Sequence, residues 1–104
     1  MSKYHAIKTE IDGIVFASKR EAARYQELKL LSMSGEIISL ELQPVFQLFV
    51  KTGKSVGKYI GDFKYFDTVR REWIVEDSKG FRTPVYRLKK KIVEEVYGIR
   101  IREV

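Results

Sequence analysis

Three residues of this chain have the types and spacing to do chemistry: Asp62, Asp77 and Lys79. Asp77 and Lys79 are two positions apart at the exit of the run Trp73-Ile74-Val75-Glu76-Asp77. On a strand, side chains at i and i+2 project from the same face, so a carboxylate and an ammonium stand side by side. Asp62 interrupts the apolar and aromatic run Tyr59-Ile60-Gly61-Asp62-Phe63. A charge in such a run is costly unless it is paired or bound to metal. If the two strands are neighbours, Asp62 and Asp77 converge on one divalent ion. Mg²⁺ favours oxygen ligands and keeps several waters. A metal-bound water is a better nucleophile, and the metal offsets charge developing on a phosphate. Lys79 would orient the attack or stabilise its transition state.

Composition narrows the alternatives. With no cysteine, disulfides, thiolate nucleophiles and Cys-ligated zinc are excluded. The single histidine, His5, reads as a surface residue in a polar stretch, so catalysis must come from carboxylates, lysines, hydroxyls and a hard metal ion. A formal net charge of +6 favours polyanionic partners, nucleic acid first. Arg82, Arg87, Lys89, Lys90 and Lys91 lie within ten residues and are the expected DNA contacts, although Glu94 and Glu95 keep that stretch from being uniformly basic. Those glutamates also weigh against a membrane-surface helix. No apolar run reaches the roughly 18 residues of a membrane span. The start Met1-Ser2-Lys3-Tyr4-His5 lacks a signal peptide's apolar stretch, so an intracellular protein is expected.

The acid-x-Lys pattern is not specific by itself. It occurs as Glu27-Leu28-Lys29, Asp62-Phe63-Lys64 and Asp77-Ser78-Lys79. The first falls on a helix, where i and i+2 do not share a face. The second competes with the third but has no equally clear acid upstream. Glu76 offers another register, and alternation turns it to the face opposite Asp77. The plain structural alternative is that these charges form surface ion pairs worth little.

The elements that must position these residues form one domain over 1–104, of α/β (α+β) class. Residues 7 to 17 read as a hairpin about Asp12-Gly13. A helix opens at Ser18, with Glu21 completing a capping box, and runs through Ala22, Ala23, Tyr25, Leu28 and Leu31 to Ser34-Gly35. Residues 37 to 50 alternate as one long strand, with Leu40, Leu42, Pro44, Phe46, Leu48 and Val50 on one face and a bend or bulge at Pro44. A second strand spans about 57 to 67, and a third runs from Trp73 to Asp77. Thr83-Pro84 begins a second helix with the apolar stripe Val85, Leu88, Ile92 and Val96, ending at Gly98. A last strand at Ile99 and Ile101 is expected to pair in parallel with the third. The order is hairpin, helix, three-strand antiparallel meander, helix, strand.

Five blocks carry a resemblance: Lys3-Tyr4-His5-Ala6, Asp12 to Ala22, Leu40-Glu41-Leu42-Gln43-Pro44, Tyr59 to Phe63, and Val75 to Gly80. Together they resemble small phage and prophage proteins assigned to the PD-(D/E)XK nuclease superfamily, over nearly the whole chain. The resemblance implies a restriction-endonuclease-like α-β-β-β-α-β core, Mg²⁺ or Mn²⁺ dependence without an organic cofactor, and phosphodiester hydrolysis in DNA in a bacterial host's cytoplasm. It matches Asp62 to the first acid, Asp77 to the second and Lys79 to the lysine. Gly61 stands in place of the signature proline. It also implies that Glu21 reaches the metal site, which competes with its capping role, and that Gln43 lies at the site's rim, where a structural amide is the alternative. A domain this small offers little surface for a duplex, so a homodimer is expected. Branched DNA would suit its two-fold symmetry, by analogy of fold alone. The runner-up is a non-catalytic DNA-binding phage accessory protein that retains the fold.

Overall fold

The computed structural model describes residues 7–78 and 83–104. Strands β1 (Thr9–Ile11) and β2 (Ile14–Phe16) form the expected hairpin. Asp12 and Gly13 between them both take left-handed backbone, with φ of 55° and 76°, as a two-residue turn of matching twist demands. The Asp12 carboxylate accepts from the Tyr25 hydroxyl at 3.0 Å and from Lys29, which ties the turn to helix α1 (Lys19–Ser34). Ser18 Oγ caps α1 by accepting the Glu21 N–H at 3.1 Å, and Gly35 closes it at φ 82°. Ala22, Tyr25 and Leu28 turn inward with Leu31 packed beside them, while Ala23 is exposed.

The two long strands expected over 37–50 and 57–67 are each broken in two. They form β3 (Ile37–Leu42), β4 (Val45–Phe49), β5 (Ser55–Ile60) and β6 (Phe63–Asp67), followed by β7 (Glu72–Asp77). The first break is at Gln43-Pro44, where Gln43 has φ 49° and proline has no N–H to donate. The second is at Gly61-Asp62. Gly61 is buried so closely against β7 that a Cβ there would lie 2.5 Å from Val75 Cγ1. The meander therefore consists of β3, β6 and β7, all antiparallel, and β4–β5 is a separate two-stranded excursion. The single apolar face expected from Leu40 to Val50 is likewise divided. Leu40 and Leu42 pack toward α1, Phe46 and Leu48 join a different core, and Val50 is exposed.

Helix α2 (Pro84–Tyr97) starts at Thr83, whose hydroxyl accepts the Tyr86 N–H at 3.1 Å, and stops at Gly98 with φ 64°. It returns the chain to β8 (Ile99–Glu103), which pairs in parallel with β7 and completes the sheet order β3-β6-β7-β8. The α2 stripe read from spacing needs correction. Only Ile92 of Val85, Leu88, Ile92 and Val96 packs inward; the other three are exposed. Tyr86, Val93 and Tyr97 face the protein instead, because β4–β5 and β8 present their apolar side there. The Tyr97 ring meets Phe46 at 5.0 Å, and its hydroxyl donates to Gln47 O at 2.8 Å.

The sheet thus separates two cores. Leu28, Phe63, Tyr65 and Ile74 belong to the α1 side; Phe46, Tyr59, Val75, Val93 and Ile101 belong to the α2 side. Successive β7 residues alternate between them, as the pleat requires. Among the described residues no helix is long and apolar enough to cross a membrane.

Candidate active site

The two strand breaks lie against each other. The Gly61 N–H donates to Pro44 O at 3.1 Å, the Gln43 N–H to Asp62 O at 2.9 Å, and the Asp62 N–H to Glu76 O at 2.9 Å. Beyond this point β3 and β6 stay in the main sheet while β4 and β5 turn away, and Asp62 sits at the fork. Phe63 pairs with Glu76, so Asp62 and Asp77 are the next positions outward on adjacent chains. The sequence reading needed β6 and β7 to be neighbours, and they are.

Both acids are buried, Asp62 at 8% exposure and Asp77 at 1%. Their carboxylates have different surroundings. Asp62 Oδ2 accepts from both the backbone N–H and the hydroxyl of Ser78, each at 2.6 Å. Asp62 lines a cleft of roughly 640 Å³ beneath α1, with Arg20, Glu21, Ser78 and Arg102, and a smaller one of roughly 130 Å³ with Glu21, Gln43 and Phe16. Asp77 instead accepts from the Tyr59 hydroxyl and lines a cleft on the α2 side with Lys58, Tyr86 and Lys89. Asp62, Glu21 and Gln43 line one cleft and Asp77 lines another, while the charges of both Asp62 and Asp77 act on the Tyr59 hydroxyl. Lys79 lies outside the described residues, as does Arg82.

Glu76, the alternative register, points to the α1 face as alternation requires. It is fully buried and held by Arg24, whose Nε and Nη2 donate to its two oxygens at 2.8 and 2.6 Å, and by the Tyr65 hydroxyl. Burial pushes its carboxyl up, but the Arg24 guanidinium and the Tyr65 donor outweigh that and leave it below the usual carboxylate range. Tyr65 is pushed up to about 12, by burial first and then by its bond to Glu76. Burial, followed by the bond to Asp77, likewise raises Tyr59 far above the usual phenol range. Burial and then the neighbouring Glu103 raise Tyr86. Both phenols beside Asp77 therefore stay protonated, and Tyr59 remains a donor to it.

An all-oxygen donor set of Asp62, Glu21 and the Gln43 amide suits a hard cation such as Mg²⁺. Among the described residues no group of three acids or other strong ligands gathers around one point. The Gln43 backbone N–H donates to Asp62 O, a contact that does not involve its side-chain amide. Of the expected DNA contacts, Arg87, Lys90 and Lys91 line one surface cleft with Glu94 and Glu103. Lys89 faces the Asp77 cleft, its Nζ reaching Lys58 O at 3.3 Å.

The family model described as "Protein of unknown function (DUF1064)" matches residues 1–102. The chain belongs to this family. No curated protein and no solved structure matches it. Within this DUF1064 chain, spacing alone did not single out Tyr59, Ser78, Arg24 or Arg102. Ser78 is the middle residue of Asp77-Ser78-Lys79 and could have been suspected as a partner for an acid. Arg24 and Arg102 reach the site region only because α1 and β8 flank the same end of the sheet.

Proposed function

We propose that this protein is a metal-dependent DNA endonuclease of the PD-(D/E)XK type. The observation that carries the reading is the fork itself. Two buried carboxylates, Asp62 and Asp77, each lie one position beyond the Phe63–Glu76 pair where the sheet splits, and Asp77 is two residues before Lys79 in the sequence. The order α1, β3, β6, β7, α2, β8, with β7 and β8 parallel, is the α-β-β-β-α-β order that the sequence resemblance implies, and it supports the same reading.

Asp62 and Glu21 are the residues that would hold a divalent cation beneath α1, with Asp77 joining from across the fork. When bound, such an ion supplies an activated water and offsets charge on the scissile phosphate. The chain's own residues do the rest. Ser78 fixes the Asp62 carboxylate by two hydrogen bonds, and Gly61 allows the close chain approach that places it. Arg87, Lys90 and Lys91 offer phosphate contacts, whose binding weakens with salt through counterion release.

One observation favours a second reading, a DNA-binding protein that keeps the fold without cleavage: Asp62 and Asp77 line different clefts. A cleavage panel separates the two. Linear duplex, flap, single-stranded and four-way-junction DNA are each incubated with Mg²⁺ or Mn²⁺, with and without chelator. Metal-dependent cleavage that is lost in Asp62→Ala, Asp77→Ala and Lys79→Ala, with DNA binding retained, is the expected result. Salt-sensitive binding with no cleavage of any substrate would leave only the second reading.

A further inference from the structure

Three arginines line the cleft beneath α1 that Asp62 and Ser78 also line, Arg20 and Arg24 from the helix and Arg102 from β8. Arg24 is engaged with Glu76 and Glu27. Arg20 and Arg102 are exposed, and among the described residues neither donates a hydrogen bond nor closes an ion pair. Register ties Arg102 to the Asp77 end of the sheet. It stands opposite Glu76, and two residues on, the Val104 N–H donates to Asp77 O at 3.1 Å. The Arg102 charge acts on Glu76 and Tyr65, which places it over the α1 face. Arg20 comes from the other wall, beside Glu21 in the capped first turn of α1. A guanidinium offers a planar fork of donors that matches phosphate oxygens. Two such forks, set on separate walls of one cleft and without partners of their own, are arranged to grip one phosphodiester from both sides.

Resting on the endonuclease reading for the choice of DNA, we propose that Arg20 and Arg102 form a seat for a backbone phosphate next to the one that meets Asp62. DNA is the anion that fits the mixed charge of this cleft. A strand carries regularly spaced phosphates, so one can face the cation held by Asp62 and Glu21 while its neighbour lies between the arginines. A lone carboxylate would meet the repulsion of those acids and gain only the arginines. The pleat turns Glu103, the next residue after Arg102, to the α2 side, where it lines the cleft of Arg87 and Lys90. The two sets of cations therefore flank the edge strand β8, and a DNA strand that crosses this edge meets both in turn.

Fluorescence anisotropy on the full chain, with labelled duplex and labelled four-way junction in chelator across a salt series, tests the seat apart from cleavage. Arg20→Gln and Arg102→Gln should each weaken binding about tenfold and lower the slope of log affinity against log salt by about one. Arg20→Lys keeps the charge, so it should hold the slope while losing the paired donors and part of the affinity. Arg70→Gln removes the same charge from the β6–β7 turn, at the far end of β7 from Asp77, and should leave the slope unchanged. Arg20 is exposed, so an unchanged melting temperature should show that its variants fold, and Arg20→Gln decides the matter if Arg102→Gln is destabilised. Inorganic phosphate, matched in ionic strength to chloride, should not displace the DNA; displacement that vanishes in Arg20→Gln would assign the seat to a small phosphate and overturn the DNA assignment. A wild type that binds neither DNA, or a slope that falls as far in Arg70→Gln as in Arg20→Gln, overturns the seat. Binding that follows the expected pattern without cleavage in Mg²⁺ or Mn²⁺ would sink the endonuclease reading and leave the seat standing.

Discussion

Glu76 and Asp77 are consecutive residues of β7, both are buried, and they do different work because the pleat sends them to opposite faces. Glu76 enters the α1 side, where a guanidinium grips both of its oxygens and a phenol adds a third donor. That arrangement is an internal strut. It joins α1 to the centre of the sheet, and the arginine that completes it is itself only partly exposed. Asp77 enters the α2 side at the end of the strand, where a cleft open to solvent reaches it and the Tyr59 hydroxyl orients it. The comparison shows that burial of an acid does not by itself mark a functional site. The difference lies in what surrounds each carboxylate: Glu76 is closed in by a guanidinium and a phenol, whereas Asp77 accepts from the Tyr59 hydroxyl and lines a cleft.

Exchanging each acid for its amide should break the comparison most sharply. Asp77→Asn should lower cleavage per folded molecule by about 10²-fold or more, the scale of losing one group that acts on developing charge. Glu76→Gln should do the reverse, lowering the melting temperature while each folded molecule still cleaves. Equal loss of activity in both variants, measured per folded molecule, would remove the distinction. Removing the strut's cation is the largest expected effect on stability. Arg24→Met leaves a buried carboxylate uncompensated and should destabilise the fold by about 3–5 kcal/mol in denaturant titration.

The pH dependence follows from the same strut. The Glu76 carboxyl is held below its ordinary range in the folded protein, so the unfolded chain takes up that proton first as pH falls. Its contribution is therefore complete above the unfolded value of about 4.3 and is lost as pH drops from there through the lower folded value. Urea midpoints of wild type and Glu76→Gln should be well separated at neutral pH and converge below about pH 4. A gap that stays constant or widens on acidification would contradict the ion pair. The smallest effects belong to the phenols. Tyr65→Phe and Tyr59→Phe each remove a donor to a buried carboxylate and should cost about 1.5–3 kcal/mol. Only Tyr59→Phe should also change cleavage, since only Tyr59 touches the candidate catalytic acid.

Much of this molecule was legible in the amino-acid order because local signals set it. Asp12-Gly13 made the turn, Ser18 and Thr83 the helix starts, and Gly35 and Gly98 the stops. Each acts within three or four residues through a hydrogen bond or a left-handed backbone that any neighbouring fold would preserve. Alternation likewise assigned Glu76 and Asp77 to opposite faces before any packing was known. What the tertiary structure alone decided is where long-range partners lie. The strands broke at Gln43-Pro44 and Gly61-Asp62, and the second break depends on Val75, which stands against Gly61 from a different strand. The inward side of α2 was set by β4, β5 and β8, so periodicity found an apolar line without saying which way it faced. Whether Asp62 and Asp77 share one cleft is a matter of the same kind. Spacing places two acids on neighbouring strands, but the direction each carboxylate takes at the fork is fixed by Ser78 and Tyr59, which periodicity cannot see.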